Sequence, residues 1–226
     1  MSSYELVYQK LRENILNGHY KHGDELRETA VGKEIGVSRT PVREALRQLE
    51  LEGLVTIIPN RGAFVNGISE QDVHDIYLIR ARLEGLCARM AAERIDESTL
   101  EEMEETMMLT AFHEEQGHYD QLFKLDSRFH SLLYEACKSK ILEHELKIFH
   151  QYVQQVRKNA LKKEARAEQS TKEHMAVMEA IKAHNADEAD RLATRHILNS
   201  IKNHHYTKIE KLLEEQPGGD VSSDEE

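Results

Sequence analysis

The stretch Gly36-Val37-Ser38-Arg39-Thr40-Pro41-Val42-Arg43-Glu44-Ala45-Leu46 decides how the rest of the chain is read. Ser38 suits a helix N-cap, where its hydroxyl can accept from a backbone N–H two or three residues on. Pro41 then falls inside the first turn, where its missing N–H costs no intrahelical bond. Val42, Ala45, Leu46, Leu49 and Leu54 recur at helical spacing and predict a buried stripe. Arg39, Arg43 and Arg47, spaced by four, lie on the opposite face. Such a helix can enter a DNA major groove and offer guanidinium groups to guanine or phosphate. The alternative is a solvated face whose arginines pair with Glu44, Glu50 or other carboxylates.

Outward from this helix the pattern is consistent. Residues 3–17 carry Leu6, Val7, Leu11, Ile15 and Leu16 on one face, and Gly18 is a stop signal. A short helix is expected over 28–35, and Gly36 permits the sharp turn that follows. Beyond Gly53, Val55-Thr56-Ile57-Ile58 and Ala63-Phe64-Val65 flank Pro59-Asn60-Arg61-Gly62, which reads as a hairpin with Arg61 and Gly62 at its tip. Residues 1–67 therefore form a winged helix-turn-helix. Residues 68–214 read as an all-helical bundle of about six helices, beginning at a Ser69/Asp72 capping box. The acidic end, 215–226, is expected to be disordered. The fold class is mainly α.

Charge supports this division. The 226 residues carry a net charge of −11, but residues 1–67 hold nine basic and nine acidic side chains. The neutral head can bind DNA locally, while the acidic remainder repels the duplex and limits non-specific contact. Charged residues are 31% and aromatics 6%, with no Trp, which favours helices over a sandwich. No apolar run is long enough to span a membrane, no signal-peptide pattern opens the chain, and Cys87 and Cys137 lack motif spacing. A cytoplasmic protein with free thiols is expected.

The second domain holds a possible metal site. Asp126 and His130 are four apart on one helix face. His174 and His196 each lie 11 residues from a turn at Asn185, so in an antiparallel hairpin both sit roughly 16 Å from it, at one level. Three imidazoles and a carboxylate suit Zn, Ni, Mn or Fe. With thirteen histidines, chance alignment is the competing reading.

The reading-helix stretch, with Leu49, Gly53-Leu54 and Arg61-Gly62, resembles the GntR family of bacterial transcription regulators. Arg80, Leu83-Glu84, Ala91-Ala92, Asp126, Phe129-His130, Glu173-His174, Ala180-Ile181, Asp187, Ala189 and His196-Ile197 resemble the FCD domain of its FadR branch. The resemblance spans about residues 4–213. It implies a homodimeric regulator of an inverted-repeat, double-stranded operator, most simply a repressor. It implies a divalent metal on Asp126, His130, His174 and His196, and a small carboxylate effector near Arg80. DNA contacts fall on Ser38, Arg39, Thr40, Arg43, Arg47, Arg61 and Gly62. Arg80 has the alternative of a salt bridge to Glu84, and the metal the alternative of only cross-linking helices. Thr29 stands where some members carry a DNA-contacting Arg, and Ser139-Lys140 replaces a common Gly-Asn turn. A metal-dependent enzyme fused to a DNA-binding head, and a regulator with no metal, are the other readings.

Overall fold

A computed structural model describes residues 2–162 and 164–202. Its elements run α1 (Ser3–Leu16), β1 (Glu25–Leu26), α2 (Glu28–Ile35), α3 (Arg39–Leu51), β2 (Val55–Ile58) and β3 (Gly62–Val65), then α4 (Glu70–Arg94), α5 (Glu97–Glu115) and α6 (Tyr119–Ala136). They continue with α7 (Lys140–Tyr152), α8 (Gln154–Ala160), α9 (Glu164–Lys182) and α10 (Ala186–Lys202). The end of the expected bundle and the acidic tail, 215–226, lie outside the described residues. Among the described residues no helix is long and apolar enough to cross a membrane.

The chain divides into two compact units. One comprises residues 1–76 together with 144–159, and the other residues 77–143 and the chain from residue 160 onward. The first unit is built on α3. Val42, Ala45, Leu46 and Leu49 are buried, as their spacing predicts, against Val7, Leu11 and Ile15 of α1 and Val31 of α2. Gly36 ends α2 in the left-handed region at φ 81°, and its N–H donates to the Gly32 carbonyl, so the turn into α3 is made at no Cβ cost. Ser38 takes the N-cap position of α3, but its side chain makes no capping hydrogen bond. That corrects the hydroxyl's expected role.

The wing is a three-stranded antiparallel sheet in the order β1-β3-β2, with Thr56 opposite Phe64 and Glu25 opposite Phe64 on the other edge. The hairpin was expected; β1, two residues long, carries no legible period. Gly62 has φ 114°, and a Cβ there would meet Glu25 Oε1 at 3.2 Å.

Segment 144–159 joins this unit through a polar cluster no periodicity announces. Arg12 Nε donates to Glu52 Oε2 at 2.9 Å, and the Tyr8 hydroxyl donates to Glu52. The Tyr152 hydroxyl donates to Glu52 Oε2 at 3.3 Å, while its ring faces the Arg12 guanidinium at 5.1 Å.

In the second unit α5 packs on α6 and α9, and α9 pairs with α10. Met103, Met107, Phe129, Leu133, Val177, Ile181 and Ile197 are buried there. Ser69 and Asp72 cap α4 reciprocally, as expected: Ser69 N donates to Asp72 Oδ2 at 2.9 Å and Asp72 N to Ser69 Oγ at 3.1 Å. The stretch from 140 to 160 is two helices, α7 and α8, interrupted at Val153 with neither Pro nor Gly to signal it. The helical part thus has seven helices among the described residues instead of about six. The turn at Ser139-Lys140 is made with Lys138 in the left-handed region at φ 53°.

Gly85 of α4 packs directly against α10. A Cβ there would lie 2.2 Å from Thr194 Oγ1 and 2.4 Å from Asp190 Oδ1. Thr194 Oγ1 also donates to the Ala81 carbonyl at 3.1 Å, so it is not free to swing away. Gly85→Val is expected to destabilise the protein by about 1–3 kcal/mol, as overpacking does. Urea denaturation checks this, and an unchanged midpoint would show that the crossing is looser than described.

Candidate metal centre and DNA-reading surface

His130 comes from α6, His174 from α9 and His196 from α10, all buried. One ring nitrogen from each lies within 4.8 Å of those from the other two. The Nε2 atoms of His174 and His196 are 3.1 Å apart, so the equal distances from Asn185 do bring the rings level. Asp126, also buried, places Oδ1 3.8 Å from His174 Nε2. Donors that share one ion at about 2.1 Å are at most about 4.2 Å apart, so small inward ring movements would close the set.

Behind two of the rings lie carboxylates that motif spacing did not single out as ligands, Glu84 buried and Glu173 half-buried. His130 Nδ1 lies 3.0 Å from Glu84 Oε2, and His196 Nδ1 lies 2.8 Å from Glu173 Oε2. The His196 contact is a hydrogen bond that occupies Nδ1 and leaves Nε2 for the opposite side, the usual support of a metal-binding imidazole, whereas the His130 contact is close but not aligned as a hydrogen bond. Glu84 is anchored in turn by Arg80 Nε at 2.8 Å and the Tyr134 hydroxyl at 2.8 Å. Glu173 accepts from Arg166 Nη1 at 3.1 Å, Gln169 Nε2 at 2.9 Å and Asn199 Nδ2 at 2.7 Å. Burial opposes ionisation of Glu173, but the bond to His196, the other donors and the Arg166 charge outweigh it and hold its carboxyl below the usual range. Burial pushes the His196 ring down to about 4, against the pull of Glu173, so at neutral pH it is an uncharged ligand group. Phe129 stacks on His174 with centroids 4.2 Å apart and limits the ring's tilt.

Arg80 is 1% exposed and follows its alternative reading: Nε and Nη2 both donate to Glu84. Its Nη1 is buried and makes no hydrogen bond among the described residues. Glu84 therefore takes the Nε–Nη2 edge of the guanidinium, and the side bearing Nη1 is what is left toward an effector. Beside Asp126 and His174, with Thr110, Ser170 and Thr171 in the lining, is a gap of about 10 Å³, roughly the room of one water molecule.

On α3, Ser38, Arg39, Thr40, Arg43 and Arg47 are exposed, and Arg61 at the wing tip is exposed with its guanidinium 5.8 Å from the Phe64 ring centre. Gly62 follows it at the start of β3. Arg27, Arg39, Arg43, Arg47 and Arg61 line one open groove. Neither Glu44 nor Glu50 pairs with Arg39 or Arg43. Glu28, at the first position of α2, takes both. Glu50 instead accepts from the Ile57 backbone at 2.8 Å.

Glu84→Ala would leave Arg80 buried without its counter-ion. Removing one partner of a buried pair costs about 3–5 kcal/mol, so a large fall in the urea midpoint is expected. A loss below about 1 kcal/mol would contradict the description of Glu84 as the anchor.

Comparison with known proteins agrees with this architecture. Residues 3–65 match the model of bacterial regulatory proteins of the gntR family, and residues 75–199 match the FCD domain. The uncharacterized HTH-type transcriptional regulator YdhC of Bacillus subtilis is 30% identical over 213 residues, 94% of this chain and 93% of that protein. The HTH-type transcriptional repressor RspR of Escherichia coli is 30% identical over 191 residues, 84% of each chain. Among solved structures, E. coli McbR/YncC superposes with a TM-score of 0.71 at 20% identity, covering 89% of this chain and 96% of that one. A putative transcriptional regulator GntR from Rhodococcus sp. RHA1 gives 0.65 at 22% identity, over 90% and 98%. These last two show the fold. With both family models matched in order and full-length relatives at 30% identity, the chain belongs to the GntR family of bacterial transcription regulators, a DNA-binding regulator with an FCD domain and not an enzyme.

Proposed function

We propose that this protein is a cytoplasmic, homodimeric repressor of the FadR branch, released from its operator by a small carboxylate that binds beside a divalent ion. The observation that carries the metal reading is the convergence of three buried ring nitrogens within 4.8 Å, two of them backed by carboxylates. Asp126, His130, His174 and His196 would hold the ion, and the donor set suits Zn, Ni, Mn or Fe. Such an ion supplies positive charge and open positions for an anionic ligand. Arg80 Nη1 would take one effector oxygen. The repressor reading leans on the printed description of RspR.

At the other end, Ser38, Arg39, Thr40, Arg43 and Arg47 would enter the major groove, and Arg61 and Gly62 would meet the backbone or minor groove beside it. Two copies would read two half-sites of an inverted repeat. The effector acts only through its different affinity for the DNA-competent and DNA-released arrangements, typically about 1–3 kcal/mol of coupling.

Elemental analysis of purified protein is expected to find close to one divalent ion per chain, and His174→Ala and His196→Ala should each lose it. Unchanged metal content in both variants would end the metal reading. For the reading head, Arg43→Ala is expected to weaken binding to the preferred duplex about tenfold or more per half-site, the cost of a lost bidentate contact. Intact affinity at physiological salt would remove α3 as the reader.

A further inference from the structure

Arg39 and Arg43 are not free side chains waiting for DNA. Arg39 donates from Nε and Nη2 to Glu28 Oε2, at 3.2 and 3.1 Å. Arg43 donates from Nε to Oε1 at 2.8 Å and from Nη2 to Oε2 at 2.9 Å. One carboxylate thus bridges two guanidinium groups from successive turns of α3. Each arginine spends the same edge, Nε with Nη2. No hydrogen bond among the described residues uses Nη1 of either, so the Nη1–Nη2 edge of each planar group stays open. That edge is itself a fork able to meet two adjacent acceptors such as guanine O6 and N7. Glu28 sits in the first turn of α2, where the helix N-terminus favours an anion, and the bonds from Arg43 hold its carboxyl below the usual range.

We propose that Glu28 is a specificity-determining residue of the DNA-reading surface. It rests on the assignment of Arg39 and Arg43 as base readers given above. Glu28 acts in two ways. It fixes the two guanidinium groups side by side with their reading edges outward, so less side-chain freedom is lost on docking to the right sequence. It also removes one positive charge from a face that would otherwise carry two, which weakens the purely electrostatic grip on any duplex. Both effects widen the gap between operator and random DNA. Glu28 does so without touching a base.

The test uses the full-length protein and its Glu28→Gln and Glu28→Asp variants. Equilibrium binding is measured across a salt series on two probes: the duplex the wild-type protein enriches from a randomised library, and poly(dI-dC). Glu28→Gln removes the charge and keeps the length. Glu28→Asp keeps the charge, but its shorter side chain cannot span both arginines. The ratio of affinities for the enriched duplex and poly(dI-dC) is expected to fall about tenfold in both variants. Glu28→Gln alone should bind poly(dI-dC) more tightly, with a salt slope steeper by about one unit. A ratio that is unchanged or higher in both variants would overturn the proposal, since Glu28 would then be a mere surface ion pair or a plain block. Arg43→Ala separates the two claims. If Arg43→Ala leaves the ratio intact, the assignment of the readers fails; if it lowers the ratio while Glu28→Asp does not, Glu28 alone is wrong. Thermal melts confirm that the variants remain folded.

Discussion

A carboxylate with almost no contact with water, Glu84, ties together the helices of the second unit. Three groups lie against it, the Arg80 guanidinium, the Tyr134 hydroxyl and the His130 ring, and beyond that ring are the other two imidazoles. A buried ion pair gains little net stability over an apolar core, because desolvation offsets most of the attraction. Its value here is geometric. With Nδ1 of His196 bonded to Glu173 and Nδ1 of His130 packed 3.0 Å from Glu84, both rings have a carboxylate behind them. A centre assembled from three different helices needs that second layer, since helix packing alone leaves each ring free to rotate.

The reading surface uses the same device under different conditions. Glu28 also orients cationic and donor groups, but at an exposed site where salt and water screen the interaction. Buried carboxylates in the helical unit set a permanent geometry. The exposed one sets a preference that a phosphate backbone can compete with. In both places the acidic partner decides what a more conspicuous basic residue can do.

Much of this was legible in the sequence, and the parts that were not share a cause. Periodicity located α1 to α3 and most of the bundle within a residue or two, because one face of each helix is buried and the others are wet. Equal spacing about Asn185 anticipated that His174 and His196 would meet, because rise per residue is constant in a helix. The misses are contacts between distant positions. Glu28 and Arg43, Glu84 and His130, and Arg12 with Glu52 and Tyr152 are brought together by tertiary packing that no local pattern encodes. The break at Val153 lacks the Pro or Gly that would announce it, and β1 is too short for a period. Arg80 shows the hazard of reading roles from position: a nearby acid four residues on took most of its fork.

Crystals of the full-length protein, with diffraction collected on both sides of the absorption edge of the metal found by elemental analysis, test the account most directly. The account predicts one anomalous peak per chain, bounded by Nε2 of His130, His174 and His196 and by the Asp126 carboxylate, with Glu84 and Glu173 still on the Nδ1 atoms behind. A peak elsewhere, or none at that position in metal-loaded crystals, would contradict it.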